Sequence, residues 1–300
     1  MRIRSLPLGL IALTAATSTA ATSVAAQSDR RQETFFDESF GVGSGGGLYV
    51  NVGDADVTVE TGNVSDIRVR VIARARDMGF AREIFDDMDF RISRQGNTVR
   101  IETDERDGWN RRDWREWQDR GGAGFEVRVM IPRDFDLDMH TGDGDVAVGS
   151  VRGAVEINTG DGDIRIESVT GPSVMLHTGD GDLILTSLEA NRIELRTGDG
   201  DVRIESLSGE LTATTGDGDV SIAIGRFAGL SVQTGDGDVT IYADPSIAAS
   251  IDVSGEDLSL GQAFTLTGRV REGRLEGTFN GGGPALRVRT GDGEVSIRTR

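Results

Sequence analysis

TGDGD, at Thr141–Asp145, returns at Thr159, Thr178, Thr197, Thr215 and Thr234, and an imperfect copy, TGDGE, starts at Thr290. The first six copies stand 18 or 19 residues apart. Each is followed by an alternating aliphatic pair: Val146/Val148, Ile164/Ile166, Leu183/Leu185, Val202/Ile204, Val220/Ile222 and Val239/Ile241. A second pair precedes the next copy: Val155/Ile157, Val174/Leu176, Ile193/Leu195, Leu211/Ala213 and Leu230/Val232. Period two marks strands with one buried face. Thr170-Gly171-Pro172 and Ser208-Gly209 read as a turn between the pairs, so the unit is strand, turn, strand, TGDGD turn.

A unit this short cannot bury its own apolar face, whereas stacked copies can. An antiparallel meander is the rival, because DG and GD dipeptides also favour hairpins. The constant phase of the repeats favours coils in which like residues stack in columns. The gap from Thr234 to Thr290 is 56 residues, close to three periods, and Ser254–Leu260 (SGEDLSL) reads as a degenerate copy at the expected place within it. The expected fold is therefore all-β: a single-stranded parallel β-solenoid of 18–19 residues per rung, with a small helical and loop excursion near the N-terminus. Glycine suits such turns by reaching positive φ, aspartate by accepting backbone N–H groups, and threonine by stacking its hydroxyls.

That account leaves the doubled acid unexplained. Stacked coils would gather Asp143, Asp161, Asp180, Asp199, Asp217 and Asp236 into one column and Asp145, Asp163, Asp182, Asp201, Asp219 and Asp238 into a second. At about 4.8 Å spacing, neighbours repel by about 1 kcal/mol in water. Arg165 and Arg203 on the adjoining strand offset this locally. These twelve aspartates are the candidate metal ligands, for Ca2+, a hard cation that takes several oxygens in flexible geometry. A purely structural turn is the competing reading, and then no cofactor is needed. A catalytic reading, a polysaccharide-active β-helix enzyme using paired carboxylates, meets the difficulty that no pair differs from its neighbours. His140 and His177 each precede a TG turn, two rungs apart, too far to share a metal ion. No catalytic residue is assigned.

The ends of the chain suggest its address. Arg2 and Arg4 precede an apolar, small-residue run closing at Val24-Ala25-Ala26, the layout of a secretory signal peptide over residues 1–26. No later segment is apolar enough to span a membrane, so the mature chain is expected in the periplasm, on the outer surface or outside the cell. The chain has no cysteine and no lysine. Its formal charge of -18 becomes -20 once Arg2 and Arg4 leave with the signal. That balance repels nucleic acid and anionic lipid and attracts divalent cations.

Residues 27–39 read as a linker and 40–300 as the solenoid, with regular repeats over 141–300. GDADVTVE at Gly53–Glu60 is a worn copy of the turn and strand, between Leu48/Val50/Val52 and Ile67/Val69/Val71. The excursion, 77–124, holds a short helical stretch at Ala81–Met88 and two strands around Gln95-Gly96-Asn97. It ends in an Asp104–Gly122 loop with all three tryptophans. Trp109, Arg111, Arg112, Trp114, Arg115 and Trp117 are the candidate partner-binding residues, since both types offer wide stacking area. A local cap or a mobile loop would use the same composition.

The worn G-D-A-D-V rung, the charged helical excursion and the serial T-G-D-G-D-V rungs together resemble the bacterial putative-adhesin domain family, of otherwise unknown function. The most specific stretch is Leu275–Arg298, where Gly277-Thr278-Phe279-Asn280-Gly281-Gly282-Gly283 matches a G-x-x-N-G-G-G element before the last rung. The resemblance covers roughly Phe40–Arg298. It implies a β-solenoid at the cell envelope that contacts protein or glycan, with no catalytic residues. Relatives often carry serine at the first aspartate of GDGD, which implies that calcium is not a family requirement.

Overall fold

The computed structural model describes residues 30–43, 45–103 and 122–300. The proposed signal peptide and the six tryptophan and arginine candidates lie outside the described residues. The strands are β1 (Arg31–Gly41), β2 (Gly46–Asn51), β3 (Asp56–Gly62), β4 (Asp66–Ala75), β5 (Arg91–Gln95), β6 (Thr98–Glu102) and β7 (Ala123–Pro132), with helix α1 (Met78–Asp87) between β4 and β5. The repeats follow as β8 (Phe135–His140), β9 (Val146–Arg152), β10 (Val155–Asn158), β11 (Ile164–His177), β12 (Leu183–Arg196), β13 (Val202–Thr214) and β14 (Val220–Gln233). The chain closes with β15 (Val239–Ala243), β16 (Ala249–Ser254), β17 (Asp257–Leu260), β18 (Leu266–Arg271), β19 (Arg274–Phe279), β20 (Ala285–Arg289) and β21 (Glu294–Thr299).

Through the repeats the pairing is parallel and in phase: Ile164 lies beside Val146 and Leu183, Leu183 beside Val202, and Val202 beside Val220. Each regular coil turns five aliphatic side chains inward, as in Ile164, Ile166, Val169, Val174 and Leu176, all at most 2% exposed. At about 1.5–3 kcal/mol for each buried aliphatic and about 1 kcal/mol net for each rung-to-rung hydrogen bond, core and ladder contribute cohesion of the same order. The turns set the register.

The turn expected in mid-repeat is a bend inside one strand. β11 and β14 run for 14 residues and β13 for 13, with Gly171, Ala190, Gly209 and Phe227 paired in succession across the bend. The bend carries the fifth inward residue (Val169, Leu188 or Leu207), outside the paired alternation visible in the sequence. Gly209 and Gly229 take φ of 146° and 145° there.

Both ends depart from a simple coil. β2 lies between β6 and β8, and β3 between β7 and β9, so the late rung β6–β7 is stacked outside the early rung β2–β3. At the other end β20 lies between β14 and β16, and β21 between β15 and β17. The SGEDLSL rung is thus real, but it stands beyond the TGDGE rung. Its turn has only Gly255 and Glu256 where TGDGE has four residues, Thr290–Gly293, so it offers no matching turn for another rung to stack on. Antiparallel strands finish both ends: β4 and β1 beyond β7, β5 beyond β6, and β19 and β18 beyond β16. The segment read as a linker therefore contributes an edge strand from Arg31 onward, paired with β4 from Arg31↔Ala75 to Gly41↔Asp66. Ile67, Val69 and Val71 sit in this antiparallel margin and not in a coil.

α1 starts at an N-cap, Asp77, whose side chain accepts the Phe80 N–H. It buries Phe80 and Ala81 and packs on β4, β1 and β7. Phe85 lies 5.5 Å from Phe35, 5.6 Å from Phe90 and 6.2 Å from Phe125, ring to ring. These contacts cover the N-terminal end of the core.

Candidate functional site

The TGDGD turns stack along one edge, and each of their residues has a separate task. The threonine is buried: Thr178 is fully inaccessible and Thr159, Thr197, Thr215, Thr234 and Thr290 are at most 8% exposed. Its hydroxyl does not meet another hydroxyl. It donates to carbonyls of the neighbouring rung, as from Thr159 Oγ1 to Gly142 O at 2.9 Å and Gly144 O at 3.1 Å. It also accepts within its own turn, from Gly181 N–H on Thr178, Gly200 N–H on Thr197 and Gly293 N–H on Thr290.

The glycines are required by close approach and not by positive φ, which none of the turn glycines adopts. A Cβ on Gly162, Gly200 or Gly218 would stand 2.0–2.1 Å from a glycine carbonyl oxygen of the adjacent rung. The first glycines form a backbone ladder, Gly160 N–H to Gly142 O and Gly179 N–H to Gly160 O among them. A Cβ on Gly160 would lie 2.4 Å from Asp143 Oδ1. Ala55 takes the second-glycine position in the GDADV turn, and its neighbour on that side is the β6–β7 rung, not another GDGD turn.

The two aspartate columns exist as expected but do different things. In the second column each carboxylate accepts the backbone N–H of its counterpart one rung on: Asp145 from Asp163 at 2.9 Å, Asp163 from Asp182 at 2.8 Å, Asp182 from Asp201 at 2.9 Å, Asp201 from Asp219 at 2.8 Å and Asp219 from Asp238 at 2.8 Å. Asp238 hands the ladder to Glu294 N–H at 2.7 Å. The first column, Asp143, Asp161, Asp180, Asp199, Asp217 and Asp236, is exposed. Arg165 spans two rungs, 2.6 Å from Asp163 and 3.7 Å from Asp145, while Arg203 makes no ion pair among the described residues. No three acidic or imidazole groups among the described residues converge as a metal-ligand set. One oxygen of each second-column carboxylate is committed to backbone, whereas those of the first column accept no hydrogen bond among the described residues.

At the N-terminal end of this edge lies Glu126, the only buried acidic residue among those described. Arg74 and Arg128 approach it at 2.6 and 2.7 Å and the Thr58 hydroxyl donates at 3.2 Å. Burial pushes its carboxyl up, but the Arg128 hydrogen bond and the two guanidinium charges outweigh that and hold it below the usual glutamate value. Asp56, opposite Glu126 in the ladder, is raised, chiefly by burial and further by the charges of Asp145 and Glu126. Sequence reading missed this cluster, since nothing local to Glu126 marks it as buried.

His140 and His177 fall on β8 and β11 with β10 between them, and His140 Nε2 lies 2.9 Å from Asp138 Oδ1. Beside His140, a shallow groove of about 280 Å³ runs over Tyr49, Arg100, Asp138, Glu156 and Met175, with the Arg100 guanidinium 3.9 Å above the Tyr49 ring.

Comparison with known proteins identifies the family of the chain. The family model described as Toastrack DUF4097 matches residues 47–298, and the chain belongs to that family. Among solved structures it is similar to a putative adhesin from Bacteroides fragilis (10% identity, 89% of this chain and 97% of that one, TM-score 0.43). It is similar also to a putative adhesin from Parabacteroides distasonis (13% identity, 89% and 97% covered, TM-score 0.43). A putative lipid binding protein from the same species gives 11% identity, 90% and 96% coverage and a TM-score of 0.41. No curated protein matches the chain.

Proposed function

We propose that the mature chain is an exported, non-enzymatic β-solenoid that works by contact, as an adhesin-like or structural component of the cell envelope. The observation that carries this reading is how the fold uses its reactive groups. The second-column carboxylates hold rungs together, the first column repeats without a distinguished member, and Glu126 is neutralised by two arginines. In the groove beside His140, Asp136 accepts the Ala154 N–H at 2.7 Å and Asp138 is engaged by His140. Most glycoside cleavage uses a pair of carboxylates, and in this groove the two aspartates beside Glu156 are engaged in hydrogen bonds within the fold. A rigid ladder with regular outward columns suits multipoint contact with protein or glycan.

The test uses residues 27–300, purified and mixed with separated envelope fractions of the source organism. Saturable co-sedimentation with one fraction is expected, together with recovery of the native chain outside the cytoplasm and cleaved near Ala26. Cytoplasmic residence with the leader intact, or release of reducing ends from envelope polysaccharide, would overturn the proposal.

A further inference from the structure

The two walls of the coil end unequally. One wall finishes at β17, which pairs with β21 alone. The other continues past β16 by two strands, β19 and β18, so it overhangs. The inner side of the overhang is apolar: Leu275 and Phe279 are buried and Phe264 packs on Phe279 at 5.3 Å. Val270 lies directly across from Leu275 and hence on the same side, yet it is 68% exposed, the most exposed large apolar residue described. Where the opposite end has α1 over its core, this end has an apolar ledge beside an edge strand with free backbone groups, a ready template for pairing.

We infer that this end is completed by a second copy of the chain, in a two-fold dimer in which β18 of each copy adds antiparallel to β17 of the other. The shapes require it: an overhang of two strands on one wall fits the matching shortfall on the partner's other wall. An axis along the strand direction exchanges the walls and makes the contact twice, as an isologous interface. The side chains agree in a single register. With Leu258 opposite Val270, both inward, Gly268 falls opposite Leu260 and leaves room for it. The same register sets exposed Asp257 opposite exposed Arg271, and neither Arg269 nor Arg271 makes an ion pair among the described residues. In the alternative two-fold, β18 on β18, the arginine-bearing edges would face each other and the overhangs would hold the two β17 edges apart. The dimer would be a longer solenoid carrying both acidic edges.

The experiment is sedimentation equilibrium of residues 27–300, with thermal unfolding as a folding control. Wild type is expected as a dimer. Arg271→Glu and Asp257→Arg should each weaken dimerisation by at least about tenfold, and the double variant should restore it. Because the chain has no native cysteine, Leu258→Cys with Val270→Cys should oxidise to a covalent dimer. A monomer at all concentrations up to about 100 μM, a weak affinity for a specific complex, would overturn the proposal. So would a dimer indifferent to both charge reversals and not captured by the cysteine pair.

Discussion

A glycine that is needed for space behaves differently from one needed for its dihedral angle. In TGDGD the second glycine has no room for a Cβ, with 2.0 Å to the next carbonyl at Gly200. Gly200→Ala should therefore lower stability by about 1–3 kcal/mol, the usual cost of overpacking. Gly200→Asn should do no better, although asparagine tolerates left-handed backbone. Ala55→Gly, at the equivalent position of the GDADV turn, should cost less than about 1 kcal/mol. Urea unfolding of the three variants separates the two causes; rescue by asparagine would restore the dihedral explanation. The aspartates divide in the same way. Asp201→Ala leaves the Asp219 N–H without its acceptor and should cost about 1 kcal/mol. Asp199→Ala removes an exposed charge that accepts no hydrogen bond among the described residues, and should be neutral or slightly stabilising. Equal losses at the two sites would refute the division of labour.

The intercalated ends make their own predictions at the scale of strands. β21 is the last strand in sequence, yet β15 and β17 flank it. Chain termini usually fray, but the amides of Val295–Ile297 should exchange with solvent as slowly as those of Val202–Ile204, whereas Ile92–Arg94 in β5, an edge strand paired with β6 alone, should exchange fast. Hydrogen exchange read by mass spectrometry decides it, and rapid exchange in β21 would contradict the stacking order. Glu126 couples β3, β4 and β7 through Thr58, Arg74 and Arg128. Its lowered folded pKa means that this stabilisation is present above the unfolded glutamate value and is lost as pH falls through the folded one. Asp56, raised, acts with the opposite sign in the window above its ordinary 3.8. Glu126→Gln should cost about 1–3 kcal/mol at pH 7, and the deficit should shrink toward pH 3. These elements also show what the sequence can reveal. Period-two alternation after each TGDGD exposed the coils, and the two aspartate columns followed from constant phase. The order of rungs at the ends did not, because a local pattern identifies a rung without saying which neighbour it stacks on. The antiparallel margin of β1 and β4 was hidden for a related reason. RQETFFDESFG lacks clean alternation, since an edge strand under a helix buries little of either side.

For the molecule as a whole, charge opposes the stack that packing favours. The formal charge of -18 over all residues includes two acidic columns whose members are about one strand spacing, 4.8 Å, apart. Each neighbouring pair costs about 1 kcal/mol in water, and screening acts over about 8–10 Å at physiological salt. Added sodium chloride should therefore raise the unfolding temperature of residues 27–300. Calcium and magnesium should raise it further, as divalent counter-ions, and by the same amount at equal ionic strength, because no three carboxylates among the described residues converge into a cage that would select between them. Thermal unfolding in EDTA, then with each ion, measures this directly. A rise specific to calcium would assign a binding role to the first column, whose oxygens are not committed to backbone. In that case Asp199→Asn with Asp217→Asn should abolish the calcium increment while leaving the sodium response in place. Equal rises would mean that six aligned carboxylates act together as a field and none as a ligand.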